Sequence, residues 1–235
     1  MFAQTTDITH VAGATELVEA EAWAQMHAAL PDDVRVRMGC SLHRFDGAAA
    51  LMTSRSRELA VNRVIAFGVR SPATRAVLDA ITEMYHDAEV ERFIVHVSPG
   101  TNPGDITGWL LERRFTLRPG LVKLARSTDD ASSLPASPEL RIEEIGVADG
   151  DIFEEIVGNP LNVPSDMRAG IRSTIGHPGW RYYLAYRDAT PIAGSAMYVG
   201  ENAAWCGLTA TIEGARGQGA QSALLRRRLM DAADM

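Results

Sequence analysis

Ala203-Ala204-Trp205-Cys206-Gly207-Leu208-Thr209-Ala210-Thr211 runs through Ile212-Glu213-Gly214-Ala215 into Arg216-Gly217-Gln218-Gly219-Ala220-Gln221-Ser222-Ala223-Leu224. The first nine residues read as a strand and the residues from about Gly219 to Ala233 as a helix, with Ala220, Ala223, Leu224, Leu229 and Ala232 on its apolar side. A helix that starts straight out of a glycine-bearing loop presents several N–H groups with no partner inside the helix. The macrodipole adds partial positive charge at the same end, so the junction is suited to a phosphate or pyrophosphate. Glycines at 217 and 219 let the backbone approach such an anion with no Cβ in the way, and Arg216 supplies a charged contact.

Working outward, two more strands precede this one, Arg181–Tyr186 and Ile192–Val199, with turns at residues 187–191 and 200–202. Before them a short strand over Leu140–Ile145 alternates apolar and charged residues. A helix through Ile152, Phe153, Ile156 and Val157 follows, capped by Asp149 and ended by Asn159-Pro160. A second helix covers Ser165–Ile175 with Ser165 as its cap. Residues 127–138 are small, polar and proline-bearing without apolar periodicity, so they read as a linker between residues 1–126 and 139–235. In the first part a helix is expected over Glu16–Ala29, with strands over Met38–Phe45, Ala48–Met52 and Val61–Val69 and a hairpin turn at Asp46-Gly47. A helix over Ala73–Tyr85, a strand over Arg92–Val97, a helix over Ile106–Arg113 and a strand over Thr116–Ala125 complete it.

The glycine loop is not a Rossmann turn, which needs an opening βαβ unit and three glycines. It is not a Walker A loop either, because Gly-Lys-Ser/Thr is absent. Three meandering strands, then Arg-x-x-Gly-x-x, then an Ala/Leu-rich helix resemble the GNAT superfamily of acyl-CoA-dependent N-acyltransferases. Arg216, Gly219 and, imperfectly, Gln221 match that family's Gln/Arg-x-x-Gly-x-Gly/Ala motif. Tyr182–Tyr186 and Pro191–Gly194 are similar to its second and third strands. The resemblance implies a mixed α/β fold, each domain a mainly antiparallel sheet flanked by helices. It implies acetyl-CoA as co-substrate, with its pyrophosphate on Gly217, Gln218, Gly219, Ala220, Gln221 and Ser222 beside Arg216, and its pantetheine arm along Thr209 to Thr211. A strand amide would polarise the thioester carbonyl as the amine attacks. Gln221 stands where the family has Gly or Ala, and its backbone amide still serves the phosphate.

Residues 38–125 have the order of three strands, helix, strand, helix and strand, which also resembles a GNAT core. The corresponding loop there, Arg70-Ser71-Pro72-Ala73-Thr74-Arg75, has no glycine, and Pro72 lacks an N–H, so it is expected only to start a helix. The chain thus reads as a tandem, with a degenerate first domain and a second domain lacking the family's later strand, helix and strand pair. Such a second domain is expected to be a fragment of a longer protein, or to pair its open sheet edge with the first domain or with a second copy.

Other polar residues are weighed against plainer roles. Glu213 is a candidate general base, directly or through water, or a solvated turn carboxylate, and the latter is favoured. His177 stands with Trp180 and Tyr182 as an acceptor-pocket candidate, or as part of a loop anchored by an aromatic. His96 reads as a sheet histidine. Cys40 and Cys206 are expected to be reduced, buried thiols. The histidines show no ligand spacing, so no metal is expected. Arg226-Arg227-Arg228 reads as a solvated helix face, with reach toward the adenosine phosphate as the alternative, and Trp23, Trp109 and Trp205 as core.

The net charge of −7 gives no overall bias toward nucleic acid, and mildly favours a cationic or polyamine-like acceptor. No apolar run approaches the roughly 18 residues of a membrane helix, and residues 1–7 lack the pattern of a secretion signal, so a cytoplasmic protein is expected. The functional expectation is an acetyl-CoA-dependent N-acetyltransferase acting on a small-molecule or protein amine. The alternative is a non-catalytic acyl-CoA-binding or dimerisation module of the same fold.

Overall fold

In a computed structural model of the chain, residues 8–129, 131–135, 137, 139–161 and 163–235 are described. Residues 1–7, which lack the pattern of a secretion signal, and Asp130, Ala136 and Pro138 of the expected linker lie outside them. The chain divides into two compact units. One comprises Met1–Ala28 and Asp32–Ala125, the other Ala29–Pro31 and Arg126–Met235. Each holds a four-stranded sheet.

The first unit opens with α1 (Ile8–Ala28) and α2 (Asp32–Met38), followed by β1 (Cys40–Phe45), β2 (Ala48–Thr53) and β3 (Arg63–Ile65). After α3 (Arg75–Asp87), β4 (Ile94–Val95) lies parallel to β3, and α4 (Ile106–Glu112) follows. The strands run β1-β2-β3-β4. β1 and β2 join through Asp46 and Gly47, both at positive φ, the backbone that a two-residue hairpin with right-handed strand twist requires. All six residues of β2 are buried because helices cover both faces. Ala20 and Ala24 of α1 pack on Ala49, Leu51 and Ile65. Leu78, Ile81 and Tyr85 of α3 and Ile106 and Leu110 of α4 pack on Ala48, Ala50, Met52 and Val64. The Tyr85 hydroxyl donates to the Leu51 carbonyl at 2.7 Å, so the buried phenol is satisfied.

His27, buried at the end of α1, lies 3.1 Å from the Met52 carbonyl through Nε2. Burial pushes its pKa down to about 4, with only partial opposition from that hydrogen bond. Between pH 6.5 and 4 the unfolded chain therefore takes up a proton that the folded chain refuses, and stability falls as the solution is acidified. His27 alone is expected to make the first unit about 2 kcal/mol less stable at pH 5 than at pH 7 by urea unfolding, and His96, lowered to the same range, adds to the fall. His27→Gln is expected to remove the His27 share of that slope and leave that of His96.

The second unit runs β5 (Arg141–Ile145), α5 (Gly150–Phe153), α6 (Ser165–Ser173), β6 (Trp180–Arg187), β7 (Thr190–Val199), β8 (Ala204–Thr211) and α7 (Ala220–Ala233). Its sheet is antiparallel in the order β5-β6-β7-β8, with β8 at the edge. Phe153, Val157 and the edge-on pair Phe153–Tyr182 fill one face. An added Cβ at Gly194 of β7 would lie 2.8 Å from Val157, so the helical segment approaches closely only because residue 194 has no side chain. On the other face Ala220, Ala223 and Leu224 of α7 pack on Tyr183, Ala185, Ala193 and Met197.

Several expected elements differ. Residues 113–127 form no strand. Pro119 has no N–H to give a ladder, and Leu117, Leu121, Val122 and Leu124 are exposed. α2 was not foreseen. Pro31 precedes it, and Asp32 and Asp33 pair with Arg35 and Arg37 along one turn, a charged pattern that carries no apolar period. The Asp149 carboxylate accepts from the Gly146 N–H behind it at 3.4 Å rather than capping the helix ahead. Beyond Phe153 the helix widens into a π-turn at Glu154–Gly158. Pro164, not Ser165, takes the cap position of α6. Within the stretch expected to be a linker, Ala131 is buried and Leu134 offers its carbonyl to Arg226 at 3.0 Å. Among the described residues no helix is long and apolar enough to cross a membrane.

Candidate functional site

β8 meets β7 in regular register from Ala204↔Val199 to Gly207↔Ala196, and again at Ala210↔Gly194. Leu208 and Thr209 therefore stand opposite the single residue Ser195, which makes a β-bulge. Leu208 takes φ +45° to allow it, a conformation that costs a side-chain-bearing residue free energy. The buried Ser195 hydroxyl has no hydrogen-bond partner among the described residues. A buried hydroxyl left so is uncommon, and here it stands where the ladder is interrupted.

Beyond Thr211 the chain makes a short turn at Glu213–Ala215 and swings into α7 through Gly217 at φ +72° and Gly219 at φ +83°. Only residues without a Cβ hold these values cheaply, which accounts for both glycines. At Gly217 an added Cβ would meet nothing within 4 Å, so its outer face is open. The Ala215 and Arg216 amides donate backward to Ile212 and Glu213, and the next backbone donor is Ala223, to the Gly219 carbonyl at 3.0 Å. The six consecutive amides of Gly217, Gln218, Gly219, Ala220, Gln221 and Ser222 have no acceptor among the described residues. They sit where the dipole of a 14-residue helix is positive.

The side chains of the loop tie it to the strand. Gln221 accepts from the Thr209 hydroxyl and donates to the Thr211 hydroxyl at 2.8 Å, so one amide side chain bridges both threonines. Arg216 Nε donates to the Thr211 carbonyl at 3.4 Å. Gln218 accepts from Arg187 at the end of β6 and donates to the Gly214 carbonyl at 3.0 Å. Thr209, Thr211, Arg216 and Gln221 are thus joined by hydrogen bonds around the six free amides. Sequence reading had placed these residues on one strand and one loop but missed the bulge, the Ser195 hydroxyl and the bridging role of Gln221. A bulge depends on how β8 registers on β7, which neither strand encodes alone.

The loop at the start of α3 contrasts with this one. There Thr74 caps the helix by accepting from the Val77 amide at 3.2 Å, and the Ala73 amide donates to the Asn102 carbonyl at 2.8 Å. With Pro72 contributing no N–H, little is left there to receive an anion.

Glu213 is exposed in its turn. His177 is exposed and its carbonyl accepts from the Trp180 amide at 3.0 Å, whereas Trp180 is buried and the Tyr182 hydroxyl lies 2.6 Å from that of Thr174. Cys40 is half-buried and Cys206 exposed, against the expectation of two buried thiols, because β8 is an open edge. Trp23, Trp109 and Trp205 are half-buried rather than core. The basic run of α7 is not a solvated face. Arg226 holds Leu134, Arg227 pairs with Asp231 at 2.9 Å, and Arg228 is buried and donates to the Ala196 carbonyl at 3.2 Å. Among the described residues no group of three or more His, Cys, Asp or Glu is placed to hold a metal.

No protein-family model matches the chain, and no curated protein matches it in sequence. Solved structures do resemble it. A GCN5-related N-acetyltransferase from Kribbella flavida is 15% identical, covering 98% of this chain and 82% of its own, with a TM-score of 0.57. A functionally unknown conserved protein from Staphylococcus epidermidis is 8% identical, covering 87% of this chain and 84% of its own, with a TM-score of 0.51. A predicted acetyltransferase from Clostridium acetobutylicum, solved with acetyl-CoA, aligns with 40% of this chain and 73% of its own at 15% identity, and its TM-score of 0.35 carries no weight. Mixed α/β with antiparallel-rich sheets flanked by helices, the chain has the fold of a GCN5-related N-acetyltransferase.

Proposed function

We propose that the chain is an acetyl-CoA-dependent N-acetyltransferase acting on an amine, with the cofactor held by the second unit. The observation that carries this reading is the run of six unpartnered amides from Gly217 to Ser222 at the start of α7, beside a bulged edge strand. Each amide can donate to a pyrophosphate oxygen, and hydrogen bonds to an anion are about twice as strong as neutral ones. Arg216 adds charge at the rim. The open edge of β8 from Thr209 to Thr211 offers backbone groups to the amides of the pantetheine arm. An N–H beside the bulge would stabilise the oxyanion formed when the amine nitrogen attacks the thioester carbon. Acetyl then passes to nitrogen and CoA leaves as the thiol.

In the same reading the first unit is a GNAT-like domain whose own helix start, at Thr74, is filled by its cap. A second reading, a module that binds acyl-CoA without turnover, is favoured by one observation. Glu213, the carboxylate next to the loop in sequence, is exposed in its turn with its side chain engaged by no described residue.

The test is incubation of the full chain with acetyl-CoA and a panel of primary amines, following release of CoA thiol and the mass of the product. Acetylated amine with stoichiometric thiol supports the enzyme. Saturable acetyl-CoA binding with no product across the panel selects the binding module. Neither binding nor product overturns both.

A further inference from the structure

The first unit carries a buried charged group that the function proposed above does not use. Glu16 and Glu19, one turn apart on α1, point to the same place. Lys123 Nζ lies there, 2.6 Å from Glu16 Oε1 and 2.6 Å from Glu19 Oε2. The Glu16 side chain is 4% exposed and that of Glu19 13%. The neighbouring cation, Arg63, also attracts Glu19 through space, but its direct contacts lie elsewhere. It stacks 4.4 Å over the Trp23 ring and donates to the Ala60 carbonyl at 2.5 Å. His96 nearby is held neutral, since burial and then the charge of Arg63 lower its pKa to about 4.

Three features set this apart from an ordinary ion pair. The Glu16 Oε2 atom is buried and has no hydrogen-bond partner among the described residues, although a carboxylate removed from water needs its lone pairs met. The two acids stand on a 21-residue helix packed into the core. The cation arrives on an extended strap that joins no sheet, and Leu121, Val122 and Leu124 around it are 89%, 86% and 93% exposed. Scaffold therefore supplies the acids and a segment outside the sheet supplies the ammonium. Finally, the group that fills the place is a primary ammonium on an unbranched four-carbon stem with three N–H donors, which defines what else fits.

We propose that Glu16 and Glu19 form a receptor for a primary alkylammonium ion, filled in this structure by the chain's own Lys123, and that a free unbranched aliphatic amine enters it by displacing the strap of residues 116–125. A free amine is not tied to the strap, so it can turn its third N–H to the unpartnered Glu16 oxygen. Lys123 competes as a tethered ligand at an effective concentration on the order of millimolar. Wild type should therefore take up free amine only at comparable concentrations, and removal of the Lys123 ammonium should expose the receptor.

The test uses the full chain at constant ionic strength, with n-butylammonium as probe and butyltrimethylammonium, which has no N–H, as control. By calorimetry the Lys123→Ala variant is expected to bind one butylammonium per chain at least tenfold more tightly than wild type. It should ignore the quaternary control and lose the binding when Glu16→Gln is added. A folded Lys123→Ala variant that shows no saturable binding, or binds equally well with Glu16→Gln, overturns the proposal. If that variant does not fold, wild type decides the question through chymotryptic cleavage after Leu121 and Leu124, because the alkylammonium probe would itself occupy the acidic specificity pocket of trypsin. Butylammonium is expected to accelerate it at least threefold and the control not at all, whereas unchanged cleavage overturns the proposal. No acetyl-CoA is present in either arm, so a failure here leaves the proposed acetyl transfer untouched.

Discussion

Replacing Ser222 by aspartate is expected to weaken acetyl-CoA binding at least tenfold while leaving the melting temperature unchanged or slightly raised. Ser222 is the third residue of α7 and is exposed, so the substitution disturbs no packing. A carboxylate in the first turn interacts favourably with the helix dipole by about 0.3–1 kcal/mol. The same carboxylate sits among the six amides proposed to receive the pyrophosphate. Two like charges some 5 Å apart at a protein surface repel by about 1–4 kcal/mol, and each 1.4 kcal/mol is about a factor of ten in affinity. Stability and binding therefore move in opposite directions, which a merely disruptive substitution cannot do. Calorimetry and thermal unfolding of the same preparation decide it. A variant that loses stability and affinity together would show that the loop had been broken, and one that binds as wild type would place the pyrophosphate elsewhere.

The second large effect concerns what holds those amides in place. Leu224 is fully buried under the sheet with Tyr183, Ala185 and Met197. Leu224→Ala removes that packing and leaves a cavity, which is expected to cost about 2–5 kcal/mol. Leu225, the next residue, is 39% exposed, and its alanine variant is expected to lie within about 0.5 kcal/mol of wild type. Urea unfolding, read on the transition of the second unit, separates the two. Equal costs at 224 and 225 would mean that α7 does not seat on the face described.

The parts of this fold that could be read from sequence are those governed by local rules. Strand alternation and turn residues placed β6, β7 and β8 to within one or two residues, and Asp46-Gly47 marked a hairpin because few other pairs tolerate two positive φ values. The loop from Arg216 to Ser222 was legible because two glycines before an Ala/Leu-rich helix leave little else for the backbone to do. What could not be read depends on partners remote in sequence. Residues 116–125 have the composition of a strand, yet Pro119 and the absence of a ladder partner leave them extended and exposed. The Leu208–Thr209 bulge arises from register against Gly194 and Ala196. Three consecutive arginines looked solvated, but Arg228 turns under the sheet and Arg227 closes on Asp231. Asp149 and Ser165 had the right chemistry for caps, but Asp149 bonds backward and Pro164 occupies the cap of α6.

The central claim, that the start of α7 receives the cofactor, is tested most directly by titrating acetyl-CoA into the isotopically labelled chain and following its backbone amides by NMR. The account predicts saturable shifts that are largest at Gly217 to Ser222, with a second group at Thr209 to Thr211. Absence of binding, or shifts that leave residues 217–222 unmoved, would contradict it.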